Sequence, residues 1–368
     1  MTRKNIQLSI LCFLCTFAGS GSFAQFMQSD SVKVDYNKIF AYCLDGNITP
    51  ALQILKQYDS AKLSGKVLQF KTEFEKRFNG TIDNSGYLES RKSQISELLL
   101  IFRNYWRISL LDNSRSYDSL LIKNLSSFLS SKYPLHIDKN SILPDDTLDV
   151  YMKKYISSFG YYTTGYGRTG KLLDLLVWKT QKDTTYTFSI YKEKISTSVV
   201  FMDDFITVGW EEYATLGRAY PGGWATTKAL FCVRKAYDLK SEDFLICYLC
   251  HEGRHFTDYK LFPKLCSADL EYRAKLTELS LLKDALYRTI DEFINNANYN
   301  SENGHSVADF CVIRDLSKVL FNVEFEKDIN KWKKVSTASI NKSAYDVLAV
   351  NTKALTKEGP EVEKFIKK

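Results

Sequence analysis

The chain has 368 residues, 45% hydrophobic, 25% charged and 14% aromatic, with a formal net charge of +7. That balance excludes a disordered, collagen-like or low-complexity chain, and the length allows about two domains. No block of five like charges occurs, so the positive charge is spread over the surface and no nucleic-acid partner is expected.

The first predicted element is an address. Arg3 and Lys4 form a short basic head, Ile6 to Ala18 an apolar stretch, and Ser22-Phe23-Ala24 a cleavage site with small residues in the right places. The apolar run is short for a span of about 20 residues. Residues 1–24 are therefore expected to be a cleaved secretory signal rather than an anchor. Leu11, directly before Cys12, is too large for a lipoprotein site. The mature chain is expected to be exported, periplasmic or extracellular, with no stable membrane span. Six cysteines remain beyond the signal: Cys43, Cys232, Cys247, Cys250, Cys266 and Cys311. They are not spaced like a disulfide scaffold, so buried thiols are expected for most of them.

Residues 25–145 read as a helical domain. AYCLDGNITPALQILKQY gives two helices joined at Gly46-Asn47. It is like one unit of a helical-repeat hairpin, but no second copy follows at a fixed period. Helical periodicity continues over 93–132, and Pro134 with SILPDDT (141–147) then breaks it. This half offers a surface for a protein partner. His136, beside Pro134, is given no role.

Residues 146–368 form the second expected domain. LLDLLVWK and TTYTFSIYK are strand-like and flank Gln181-Lys182-Asp183, which reads as a hairpin turn. STSVVFMDDF (196–205) reads as a third strand. Pro221-Gly222-Gly223 is a turn and 224–233 a further strand. Helices are expected over about 241–259, 267–289, 305–323 and 338–355. The class is α+β, mostly α: a helical region, then a small sheet with site-bearing helices.

Two motifs are decoys. GYGRTGK (165–171) fits GxGxxG and most of a phosphate-binding loop, but a strand-like segment follows where a helix is required. A flexible loop is expected instead. CYLCH (247–251) matches the haem-attachment pattern, yet it lies in an apolar helical run where the two cysteines pair poorly.

HEGRH (251–255) carries the chemistry. The chain has four histidines, and a chance HExxH would arise in roughly two or three such sequences per thousand. On a helix, positions i and i+4 share a face, so His251 and His255 can reach one zinc ion. Glu252 sits about 100° round the helix, where it can touch a metal-bound water. Ser241 is a candidate N-cap and Glu242 and Asp243 suit a first turn. Phe244 to Cys250 is apolar nearly all round, so the helix is expected to be buried, and bare imidazoles are costly there. The blander alternatives are two satisfied structural histidines, or a metal without catalysis. A third protein ligand is needed. Glu271, sixteen residues past His255 on the next helix, can point back at the histidine face, with Pro263 allowing the reversal and Ala274 permitting close packing. Glu278 shares its face and is the reserve ligand.

HEGRH followed by EYRA resembles the gluzincin metallopeptidases over roughly residues 220–285. The resemblance implies a zincin-like domain, with His251, His255 and Glu271 as zinc ligands and Glu252 as general base. It implies peptide-bond hydrolysis of a peptide or protein substrate by a zinc-activated water. The strand 224–233 would hold extended substrate by backbone pairing. His305, after Asn303-Gly304, is the candidate oxyanion stabiliser, although a surface or capping role is its ordinary reading. One departure stands out: Lys275 occupies the place of an aspartate that orients a ligand histidine. That role would pass to Asp258 or another carboxylate. The alternative function is a non-catalytic envelope protein with a structural zinc site and a partner-binding helical half.

Overall fold

The computed structural model describes residues 34–63, 65–88, 93–133, 142–301 and 303–367. The expected signal at 1–24 and His136 lie outside them. The fold is the expected α+β, mostly α. The contacts divide the chain into two units. One runs to Gln181 and takes in Met202–Pro221; the other comprises Lys182–Phe201 and everything from Gly222 onward.

The first unit is built from α1 (Tyr36–Leu44), α2 (Ile48–Lys56), α3 (Gly65–Phe78), α4 (Ser96–Leu111), α5 (Asp118–Lys132) and α6 (Asp145–Ser157). Asp35 caps α1 by accepting from the Lys38 N–H at 3.1 Å. Helix α2 buries Ile48, Ala51, Leu52 and Leu55, the i, i+3, i+4, i+7 stripe that the sequence prescribes. Helix α3 contributes Phe70, Phe74 and Phe78, with successive ring centroids 5.6 and 4.9 Å apart. The expected boundary near 145 is not where the units part. Leu148, Met152 and Ile156 of α6 enter the same apolar core as Leu125 and Leu129 of α5, so α6 belongs to this unit.

The five-stranded sheet comprises β1 (Tyr166–Thr169), β2 (Leu172–Ile190), β3 (Glu193–Val208), β4 (Gly223–Ala225) and β5 (Ala229–Val233), in the order β1-β2-β3-β5-β4. Strands β1 and β2 pair antiparallel from Tyr166↔Leu175 to Thr169↔Leu172. Gly170 and Lys171 are left as a two-residue turn, with Gly170 at φ +53°. GYGRTGK is thus an ordered strand-turn-strand, not a flexible loop, and no helix N-terminus follows it.

Two strand expectations need correction. Gln181-Lys182-Asp183 makes no turn; β2 runs straight through it, and the chain reverses at Tyr191, φ +54°. A polar triplet without Gly or Pro, followed by two threonines, suits an exposed stretch of strand. Residues 224–233 are likewise two short antiparallel strands, β4 and β5, paired from Gly223↔Cys232 to Ala225↔Leu230.

A short helix, α7 (Trp210–Ala214), completes the first unit. The second continues with α8 (Glu242–Leu245), α9 (Leu249–Leu261), α10 (Ser267–Leu281), α11 (Leu286–Asn296), α12 (Gly304–Phe321), α13 (Ile329–Trp332) and α14 (Thr337–Glu358). The single helix expected over 267–289 is two. The Lys283 and Ala285 N–H groups leave helical pairing and donate to the Glu242 carboxylate at 3.0 and 2.9 Å. Helix α10 is central: every residue from Asp269 to Ser280 is buried. Among the described residues, no helix is long and apolar enough to cross a membrane.

Candidate metal centre

Ser241 caps α8 as expected, its hydroxyl accepting from the Phe244 N–H at 3.3 Å. The helix expected over 241–259 is interrupted, however. Cys247 N–H bonds back to the Glu242 carbonyl and His251 N–H to the Ile246 carbonyl, both five residues away. This is the widened turn that often accompanies functional sites, and α9 restarts directly before HEGRH. Cys247 packs in one apolar cluster and Cys250 in another. The CYLCH cysteines therefore face apart, and neither forms a disulfide.

Gly253, two residues after His251, lies on the far side of α9 from the imidazoles. A Cβ there would sit 2.5 Å from Phe188 Cζ, so only glycine admits the end of the β2–β3 hairpin. Arg254 adds an ion pair to Glu193 at 2.9 Å. The back of the helix is thereby fixed and its histidine face presented to α10.

On that face His251, His255 and Glu271 converge, and they form a group that could hold a metal ion. The two Nε2 atoms are 3.1 Å apart. Glu271 Oε1 lies 3.2 Å from His255 Nε2, and Oε2 lies 3.3 Å from His251 Nε2. Ligands bonded at 2.0–2.1 Å to a tetrahedral ion are about 3.3 Å from one another, so the two imidazole nitrogens and the carboxylate lie at the spacing of such a site. Nδ1–H of His251 donates to Glu278, which turns the Nε2 lone pair toward Glu271 and His255.

Burial opposes charge on Glu271, yet His305, His255 and His251 hold its carboxyl well below the ordinary range. Glu252 has the opposite balance. Burial pushes its carboxyl up, with His255 and His251 opposing. It accepts a hydrogen bond from the backbone of Ala225 on the edge strand β4, and its Oε1 meets no donor among the described residues. Such an acid can take and release a proton.

The remaining expected residues fall into new places. Glu278, the reserve ligand, sits behind His251 on Nδ1, not on the converging side. That is the place from which a carboxylate orients a ligand histidine, the role left open by Lys275. Asp258 does not: Arg273 clamps it with two bonds, 2.7 and 2.9 Å long. His305 is buried, not a surface residue, and its Nδ1 lies 3.0 Å from Glu271 Oε2. It braces the carboxylate of the trio. Burial lowers its pKa, with Glu271 opposing. Sequence reasoning missed Asp309, which pairs with Lys275 at 2.8 Å; the signal lay in its position four residues past His305, on the same face of α12.

No family model, no curated protein and no solved structure matches this chain.

Proposed function

We propose that the chain is an exported zinc-dependent metallopeptidase of gluzincin type. The observation that carries this reading is the convergence of three ligand atoms beside a buried, partly unpartnered glutamate. Imidazole and carboxylate donors in near-tetrahedral spacing suit zinc. Zinc, when bound, supplies Lewis acidity and lowers the pKa of water to about 7. The chain's own residues do the rest. Glu278 and His305 fix the ligands. Glu252 takes a proton from the attacking water and gives it to the leaving amine. The backbone of β4, at the sheet edge, pairs with an extended peptide or protein substrate.

A second reading, a structural zinc in an envelope protein whose helical half binds a partner, draws on one observation. His251, Glu252, His255 and Glu271 are only 1–4% exposed, as befits a metal that ties helices together. Glu252→Gln separates the two. In the peptidase it leaves folding and zinc content unchanged and lowers cleavage of unstructured protein by about 10²–10⁴-fold. Wild-type protein that binds zinc and cleaves nothing in a broad peptide library supports the structural reading.

A further inference from the structure

Helix α10 carries more charge than a buried helix normally tolerates, and one member of that set has no part in the site as drawn so far. Lys275 is 5% exposed. It lies four residues after Glu271 and three before Glu278, on the same helical face. Its ammonium is 2.8 Å from Asp309 Oδ1 and 4.2 Å from the centroid of the Phe293 ring. A lone buried ammonium would lose its proton. Burial pulls in that direction here, but Asp309, Glu278 and Glu271 together raise the pKa of Lys275 above its usual value. Lys275 and Glu278 stand one turn apart on this buried helix, so the ammonium can offset the charge of that carboxylate.

Glu278 needs that compensation. It is buried and bonded to the Nδ1–H of His251, which is uncharged when His251 serves as a metal ligand. A buried carboxylate is stable only when its charge is paired. Resting on the metal reading above, we propose that Lys275, anchored by Asp309, is a positioning residue of the metal centre: it keeps the Glu278 carboxylate seated on His251 and so sets zinc affinity. Lys275 touches neither metal nor substrate in this scheme. Its whole effect passes through Glu278.

A double-mutant cycle tests this. Zinc affinity is measured by competition with a chromophoric chelator for wild type, Lys275→Met, Glu278→Gln and the double variant. Loss of an outer-sphere partner typically costs about 10–100-fold in affinity, and that is the expected drop for Lys275→Met. In the Glu278→Gln background the same substitution should change affinity less than about 2-fold. In the cobalt-loaded protein, the visible bands of Lys275→Met should shift toward those of Glu278→Gln. Equal drops in both backgrounds, or no drop in the wild-type background, would overturn the proposal. A wild type that takes up no zinc defeats the metal reading first. Should Lys275→Met not fold, Lys275→Gln takes its place, since it removes the charge and keeps a donor for Asp309.

Discussion

Each unit of this protein hides a group of carboxylates, and the two groups are stabilised in opposite ways. In the first unit Asp174 and Glu211 are 1% and 2% exposed. Asp174 Oδ1 accepts from the Leu175 and Trp210 N–H groups, both at 2.9 Å. Burial nevertheless pushes its carboxyl up to about 7, with Glu212 adding to the rise. Glu211 is raised well above the usual range by burial and then by Asp174. In the second unit Glu271 is buried as deeply, and histidines hold it down. Asp309 lies between these extremes: burial raises it to about 6 against the pull of Lys275. The first group meets the cost of burial with protons. The second is surrounded by imidazoles and an ammonium, and its ligand atoms converge. Depth alone does not mark the converging carboxylate; being held as an anion in a core sets Glu271 apart.

Exchanging the chemistry of either group tests that contrast. The largest effect belongs to the trio itself. Glu271→Ala should lower zinc affinity well beyond the roughly 10–100-fold expected for an outer partner, because it removes a ligand. Glu278→Ala should keep measurable affinity. Isothermal titration with zinc distinguishes them, and the reverse order would make Glu278 the third ligand.

The first group should respond to pH and not to metal. Asp174 has a folded pKa raised above its unfolded value of about 3.9, so it contributes stability below that value. This contribution is lost as pH rises through about 7. The loss is on the order of 3–4 kcal/mol between about pH 4 and pH 8. Asn mimics the neutral acid. Asp174→Asn should therefore match wild type near pH 3, below the unfolded pKa, and exceed it at pH 8 in urea unfolding. A variant less stable at pH 8 would show that Asp174 works as an anion.

The smallest effect sharpens the second group. Glu278→Gln retains an acceptor for His251 but removes the charge, and should weaken zinc binding by about 10-fold. An unchanged affinity would show that hydrogen bonding alone orients the imidazole.

Much of the metal centre was legible in the sequence, because its core depends on local geometry. His251, Glu252 and His255 are related by one helical turn, and Glu271 follows on the next helix after a short link. What surrounds them was not legible. Whether Glu278 meets Nδ1 or Nε2 of His251 depends on the distance between α9 and α10, which no spacing encodes. Lys275 reads only as a departure from an orienting aspartate until α10 is seen buried along its length. In the sheet, the exposed polar run at 181–183 imitated a turn, whereas the true reversal at Tyr191 lacks Gly, Asn or Pro at the residue with positive φ. In the first unit the α1–α2 hairpin was plain, since it follows an apolar stripe, whereas the helical stretch expected over 93–132 is two helices, α4 and α5, and α6 begins inside the expected break; the acids Asp174 and Glu211 gave no local sign of being buried.

The central claim is that the second unit's anions await a metal, and metal analysis of purified protein tests it most directly. Wild type equilibrated with zinc and then dialysed should carry about one zinc per chain, and His251→Ala, with unchanged circular dichroism, should carry almost none. Wild type that retains no zinc, or His251→Ala that retains as much as wild type, would contradict the account.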